Sequence, residues 1–481
     1  MTEHAPSLSS LSSGFSRPSL SRRHFLGGLL LPGLLGESAR QAHAAGPLSH
    51  RALTLRNGLT VLLREDRRTP FVAVHVRYEV GALHEPEGSR GIAHLLEHLL
   101  FRATEHMTPA TPVSVLTGVA ARKLNGQTTF DYTEYYAVVP KVNVETALWV
   151  ESERMGFPTL SNDDLDAERL VVQNERIERF ENTPYMEAQY RLHQELFPQG
   201  HPYHHYAIGS EADIKRITSA EIKAFFRQHY TPANAILTLV GDFDSSVVLP
   251  MIQKYFETLV AAPRPDPPQV PPLKRSMGQL LRHAEKRGTP AALFLAWLTP
   301  PYFAPGDAAC DLLGHILSRG RSGRLQRQFA AAGDATDSIS VQQISRRQQS
   351  VFAITTTLPA GSASATSRLQ QIDESLAQIA QDGVSDEELA IVKQWARNDL
   401  LIKTEDLLSQ AHLLASYQSR PGGPASVSRD LMRYLLVGTK EIQTLARDFL
   451  SPNQRIAVIA EAKAVSASAS ALPAFPFRGQ I

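Results

Sequence analysis

Residues 93–100 read Ala-His-Leu-Leu-Glu-His-Leu-Leu, and residues 310–317 read Cys-Asp-Leu-Leu-Gly-His-Ile-Leu. Both stretches space their apolar residues as one face of a helix. Two more echoes follow in the same order. Ser161–Arg169 (SNDDLDAER) lines up with Ser385–Lys393 (SDEELAIVK). Tyr230–Asn234, before the apolar run Ala235–Val240, lines up with Leu450–Gln454, before Ile456–Ala460. Any one pair is within reach of chance similarity between amphipathic segments. Three collinear pairs predict a unit written twice, and repetition sets the architecture before any single element does.

The surrounding sequence fits two such units. Ala261–Pro272 carries six prolines, an extended and semi-rigid connector between halves of domain size. In the first half Leu59–Leu63 and Val72–Tyr78 read as strands, rich in β-branched residues, and Gly91–Phe101 reads as a helix. Ser161 is a helix N-cap with acidic residues in the turn that follows, and Ser385 with Glu388 makes a capping box for the matching helix. Alternating strands and helices in each half predict an α+β fold: two homologous α/β-sandwich domains that together form half of a clamshell. The expected divisions are 1–44, 45–260 (first domain), 261–278 (linker), 279–465 (second domain) and an irregular tail, 466–481. Pro359–Ser367 reads as a loop.

Composition excludes several functions. The chain has 481 residues, 49 basic and 48 acidic, for a formal charge of +1. That balance argues against a general nucleic-acid binder. A single cysteine, Cys310, rules out an intramolecular disulfide framework or a cysteine-rich metal site. It falls on an apolar helix face and reads as an inert thiol.

The N-terminus reads as an export signal. Arg22-Arg23 precedes an uncharged stretch, Phe25–Leu35, and then the small-x-small pattern Ala42-His43-Ala44. The apolar core is too short to span a bilayer. The twin arginines followed by Phe25-Leu26 point to the twin-arginine route and a periplasmic destination; an ordinary secretory signal or a mitochondrial presequence are the weaker readings. Removing residues 1–44 leaves 45 basic and 46 acidic residues, net −1. The mature chain has no other apolar run long enough to span a membrane.

Chemistry concentrates at His94-Leu95-Leu96-Glu97-His98. Histidines at i and i+4 share a helix face, so both imidazoles can reach one metal ion. Glu97 lies near the rim of that face and can reach a water at the metal. A catalytic zinc needs a third protein ligand and an open position. Glu168 and Glu175 lie two turns apart on one helix face; one can ligate and the other support it. Taken alone, those two glutamates read rather as an exposed acidic face, and the bland reading of the histidines is a surface helix that carries them incidentally.

These residues resemble the pitrilysin/insulysin and mitochondrial-processing-peptidase metallopeptidases, the inverzincins, over nearly the whole mature chain. That family carries His-x-x-Glu-His and a glutamate 77 residues beyond the second histidine, which falls on Glu175. Its second glutamate, seven residues earlier, falls on Glu168. Asn57–Val61, Asn125–Thr133, His201-Pro202-Tyr203, Ile208–Glu211 and Val240-Gly241-Asp242 resemble further landmarks. The resemblance implies one Zn²⁺ per chain held by His94, His98 and Glu175, with Glu97 as general base and Glu168 positioning a ligand or the water. It implies a zinc endopeptidase acting on peptides or small unfolded proteins, the substrate adding as an extended strand near Asn125. A non-catalytic peptide-binding or assembly subunit is the alternative.

The second copy departs from this pattern. His94, Glu97 and His98 correspond to Asp311, Gly314 and His315, and Glu168 to Val392, so no equivalent metal site is expected there. In the family this half supplies an Arg and a Tyr, seven residues apart, beyond a Ser-Arg-Leu landmark. Here Ser322–Leu325 is followed by Phe329–Asp337, with Ala and Thr or Asp at those positions. The chain thus reads as the zinc-bearing member of a two-chain enzyme whose homologous partner brings the pair, or as a homodimer. Arg346 or Arg347 is the candidate substitute. His201, His204 and His205 read as a structural loop, and Trp149, Trp297 and Trp395 as core.

Overall fold

The structure, a computed structural model, describes residues 48–107, 110–273, 278–285, 289–331, 339–358, 364–420 and 426–462. The export segment, the tail and the Ala332–Asp337 part of the Arg/Tyr segment lie outside the described residues. So does most of the Pro359–Ser367 loop. The described residues form one compact unit.

The first half runs β1 (Arg51–Thr54), β2 (Thr60–Glu65), β3 (Phe71–Tyr78), α1 (Ile92–Leu99), α2 (Pro112–Gly118), β4 (Arg122–Thr128), β5 (Thr133–Pro140), α3 (Val144–Gly156), α4 (Asn162–Arg176), α5 (Met186–Leu196), α6 (Glu211–Arg216), α7 (Ser219–His229), β6 (Ala235–Gly241) and α8 (Ser245–Phe256). The second runs β7 (Gln279–Glu285), β8 (Ala291–Thr299), α9 (Asp307–Ser318), α10 (Arg324–Ala331), β9 (Ile339–Ile344), β10 (Ser350–Leu358), α11 (Ala365–Asp382), α12 (Asp386–Ile402), α13 (Leu407–Gln418), α14 (Val427–Leu435), α15 (Thr439–Phe449) and β11 (Ile456–Ala462). Residues 261–273 have no regular secondary structure, as six prolines demand.

The duplication is written in the sheets. The first has the order β1-β2-β6-β3-β5-β4 and the second β7-β11-β8-β10-β9. Apart from the extra edge strand β1, the orders superimpose, and the single parallel pair recurs as β2 with β6 and β7 with β11. All three sequence echoes fall on matching elements: α1 with α9, α4 with α12, and β6 with β11. Both caps form as read, Ser161 accepting from the Asp164 N–H and Ser385 closing a capping box with Glu388.

The central strands of each sheet are buried on both faces, which explains their long apolar runs. On β3, Val72, Val74, Val76 and Tyr78 face a core shared with α1, α3, α7 and α8. Ala73 faces the other way, with Val138 and Val240, onto Leu408, Ala411 and Leu414 of α13. The second sheet mirrors this. Leu293, Leu295 and Trp297 face α9, α11 and α15, while Ala292, Phe294 and Ala296 meet Ala188, Leu192 and Leu196 of α5. Each half therefore lends a helix to cover the other's open face. Trp297 is fully buried, whereas Trp149 and Trp395 pack half-buried at the core margins.

Candidate metal centre

Helix α1 is fixed at its start by close backbone packing and by a side-chain cap from outside the helix. Gly91, in the left-handed region (φ 100°), is its N-cap. It lies against Gly209 (φ 77°), where a Cβ would run into the Arg90 carbonyl and the Gly91 Cα; only glycine fits there. The buried Glu85 carboxylate then accepts from the Gly91 and Ala93 N–H groups at 3.0 and 3.1 Å, capping α1 from outside it. Ile92, Leu95, Leu96 and Leu99 bury the opposite face.

The polar face carries His94 and His98, with ring centroids 4.8 Å apart. Helix α4 brings Glu175 against both. Its Oε2 lies 3.6 Å from His94 Nε2 and 3.2 Å from His98 Nε2. The three donor atoms fall within 4.8 Å of one another. One turn-pair earlier on α4, Glu168 Oε2 is 3.0 Å from His98 Nδ1. With the ring charged, Nδ1–H donates to Glu168 and Nε2–H to Glu175, so both carboxylates orient the imidazole. Arg102 donates in turn to Glu168 Oε1 at 2.5 Å. Arg179 Nη2 holds Glu175 Oε1 at 2.8 Å, leaving Oε2 toward the imidazoles.

Electrostatics follow from this crowding. Burial, then the neighbouring His98, lowers His94 to about 4, so it stays a neutral donor. Burial also disfavours charge on His98, but hydrogen bonds with Glu168 and Glu175 outweigh it and raise the ring to about 9. A bound cation would take that proton's place between the same groups. Burial raises the Glu97 carboxyl above the usual carboxylate range, against a hydrogen bond from Thr128. Its Oε2 is buried without a partner among the described residues.

These groups line a cavity of about 620 Å³ whose far wall is β4: Asn125, Gly126, Gln127 and Thr128. Strand β4 is the sheet's edge, and its register shifts between Arg122 and Asn125, where Lys123 has φ 50°. Such bulges re-aim side chains beside functional sites. Asn125 stands against the Tyr136 hydroxyl on the same wall.

All six residues singled out from sequence thus meet at one place: five within the His/Glu network and Asn125 across the cavity. Arg102 and Arg179 were missed, although each lies four residues beyond a site residue, His98 and Glu175. Glu85 left no local signal. The two candidate substitute arginines are engaged elsewhere. Arg346 stacks over Phe130 at 4.2 Å, and Arg347 pairs with Glu79 while its backbone N–H donates to Asp131 at 2.8 Å. The His201 cluster is structural: His201 Nδ1 accepts from the Tyr203 N–H, and His204 Nδ1 bonds the Phe197 carbonyl.

Two imidazole nitrogens and one carboxylate oxygen, beside a Glu97 Oε2 with no partner among the described residues, form a donor set that fits zinc with an open coordination position. Residues 60–204 match the family described as insulinase, peptidase family M16. Residues 216–394 match the peptidase M16 inactive domain. The chain is 30% identical to the zinc protease PqqE of Helicobacter pylori over 63% of this chain and 68% of that one. It is 26% identical to an uncharacterized zinc protease of Mycobacterium bovis over 87% and 94%. A Helicobacter pylori protease of known structure superimposes with a TM-score of 0.78 at 25% identity, covering 86% and 99%. The periplasmic protease PqqL of Escherichia coli shares the fold with a TM-score of 0.72 at 19% identity, covering 90% of this chain and 51% of that one.

Proposed function

Because the chain belongs to peptidase family M16, we propose that it is a zinc-dependent endopeptidase acting on peptides or small unfolded proteins. One observation carries this: His94, His98 and Glu175 converge within 4.8 Å beside the unpartnered Glu97 Oε2. Those three residues would hold one Zn²⁺, which when bound acidifies water and polarises a carbonyl. Glu97 takes the proton of the attacking water and passes it to the leaving amine. Its raised pKa makes it a stronger base than a solvated carboxylate, so the transfer is less uphill. Glu168 fixes the tautomer and tilt of His98, and Arg102 fixes Glu168. The β4 edge offers main-chain N–H and C=O groups to an extended peptide, with Asn125 at its bulge. Main-chain pairing suits substrates of many sequences.

The chain acts, on this reading, as the zinc-bearing subunit of a two-chain enzyme, in the periplasm after twin-arginine export. The engagement of Arg346 and Arg347 away from the cavity supports the need for a partner carrying the Arg/Tyr pair. Among the described residues no helix is long and apolar enough to cross a membrane. The experiment is peptide hydrolysis by the zinc-loaded chain, alone and with a homologous subunit carrying that pair. Hydrolysis that rises sharply on addition supports the two-chain reading. Full activity alone overturns it, and none in either case overturns the peptidase.

A further inference from the structure

On the other face of the first sheet, under α13, a second cluster joins three elements. His75 of β3 places Nε2 3.0 Å from Glu134 Oε2 of β5. His412 of α13 places Nδ1 3.2 Å from Glu134 Oε1. The two rings meet edge-on at 4.6 Å, and one donor atom from each residue lies within 4.8 Å of the others. His75 is fully buried and Glu134 nearly so; the His412 side chain, 32% exposed, opens the cluster to solvent.

The second half shows what this sheet–helix contact normally needs. By strand register, His75 pairs with Tyr136 and Thr238, as Phe294 pairs with Thr355 and Val458. Glu134 likewise corresponds to Ala353. Under α5 the places of His75 and Glu134 are therefore apolar, Phe294 and Ala353, and both line a cavity of about 160 Å³ beside His193 and Arg346. The first half instead buries two imidazoles and a carboxylate, which desolvation opposes. Protein groups leave them incompletely satisfied: His75 Nδ1 and the Oγ1 of its register partner Thr238 have no partner among the described residues. The adjacent Arg77 is taken up by Glu79 at 2.9 Å.

We propose that His75, Glu134 and His412 form a second divalent-cation site, distinct from the His94–His98–Glu175 centre, which ties α13 of the second half to the sheet of the first. Two imidazoles and one carboxylate select a borderline cation such as Zn²⁺ over Mg²⁺ or Ca²⁺. The solvent side of His412 leaves room for a water as the remaining ligand. The site would be structural: none of its three residues lines the cavity of the His94–His98–Glu175 centre.

The test is metal stoichiometry of the full-length chain, stripped by chelation and reloaded with Zn²⁺ alone. Wild type should hold two ions per chain, His98→Ala one, and His98→Ala/His412→Ala none. His412→Ala alone should hold one and keep its peptidase activity. Loaded with Co²⁺, the His98→Ala protein should show ligand-field bands that vanish when His412 is also replaced. One ion in wild type and none in His98→Ala overturns the proposal, and that comparison stands even if the His412 variant does not fold. An ion that survives in the double variant also overturns it, since it must lie elsewhere.

Discussion

The helix pairs α1/α4 and α9/α12 are copies of one device, and they treat the same arginine in opposite ways. In the first copy, Arg102 donates to Glu168, and Glu175 is free to face the imidazoles. In the second, the place of Glu168 is taken by Val392, buried in the core. The matching arginine, Arg319, then turns to the matching ligand carboxylate and grips Asp399 with both Nη atoms, Nη2 to Oδ1 at 2.8 Å. His315, the counterpart of His98, is left 4.0 Å from Asp399. Asp311 stands where His94 does. It accepts from the Tyr434 hydroxyl at 2.8 Å, and burial pushes it up to about 7. The second copy thus differs by more than its missing ligands: with valine at the place of the glutamate that holds the arginine, the guanidinium pairs instead with the carboxylate at the place of Glu175.

This comparison can be broken at several points. The largest expected effect is Glu97→Gln, which should cut peptide hydrolysis by about a thousandfold or more with metal content unchanged. Its counterpart, Gly314, has no side chain to lose. Retained activity in that variant removes Glu97 from the reaction. Gly209→Ala should destabilise the fold by about 2 kcal/mol or more, because the new Cβ meets Arg90 and Gly91 backbone. It should lower zinc affinity too, since α1 is displaced; calorimetry and metal titration read the two effects separately. Arg102→Ala should weaken zinc about tenfold by loosening Glu168 and through it His98. Arg319→Ala should leave zinc binding and hydrolysis untouched and cost about 1 kcal/mol or less, as a half-exposed ion pair does. If the two arginine variants behaved alike in a metal titration, the difference drawn between the copies would be wrong.

Much of this was legible before any coordinates. The three echoes gave the duplication, because each falls on a helix or strand whose apolar spacing is locally fixed. The i, i+4 histidines marked a metal-binding face, because helical geometry carries spacing directly into space, while Glu168 and Glu175 were picked out of an acidic helix by the family resemblance. The exchange of α5 and α13 was not legible. Both read as ordinary amphipathic helices, and nothing local says which sheet a helix covers. Glu85 was hidden for a similar reason, capping α1 from a turn outside it. His75, Glu134 and His412 come from three elements far apart in the chain. In β3, His75 and Arg77 alternate with Val74 and Val76, but alternation of that kind reads as a half-buried strand with its polar side in water, so the sequence pointed away from their burial.

The lent helices also set an order of events during synthesis. The first sheet is complete at Gly241, yet the residues that cover its second face, Leu408 to Leu414, emerge from the ribosome only after most of the second half. Until then an apolar sheet surface stands bare. Contacts that span so much chain form slowly and leave intermediates prone to aggregation. Neither sheet is covered on both faces until the helix lent by the other half is in place. A ribosome stalled anywhere before α13 would hold a nascent chain that chaperones should recognise as unfinished.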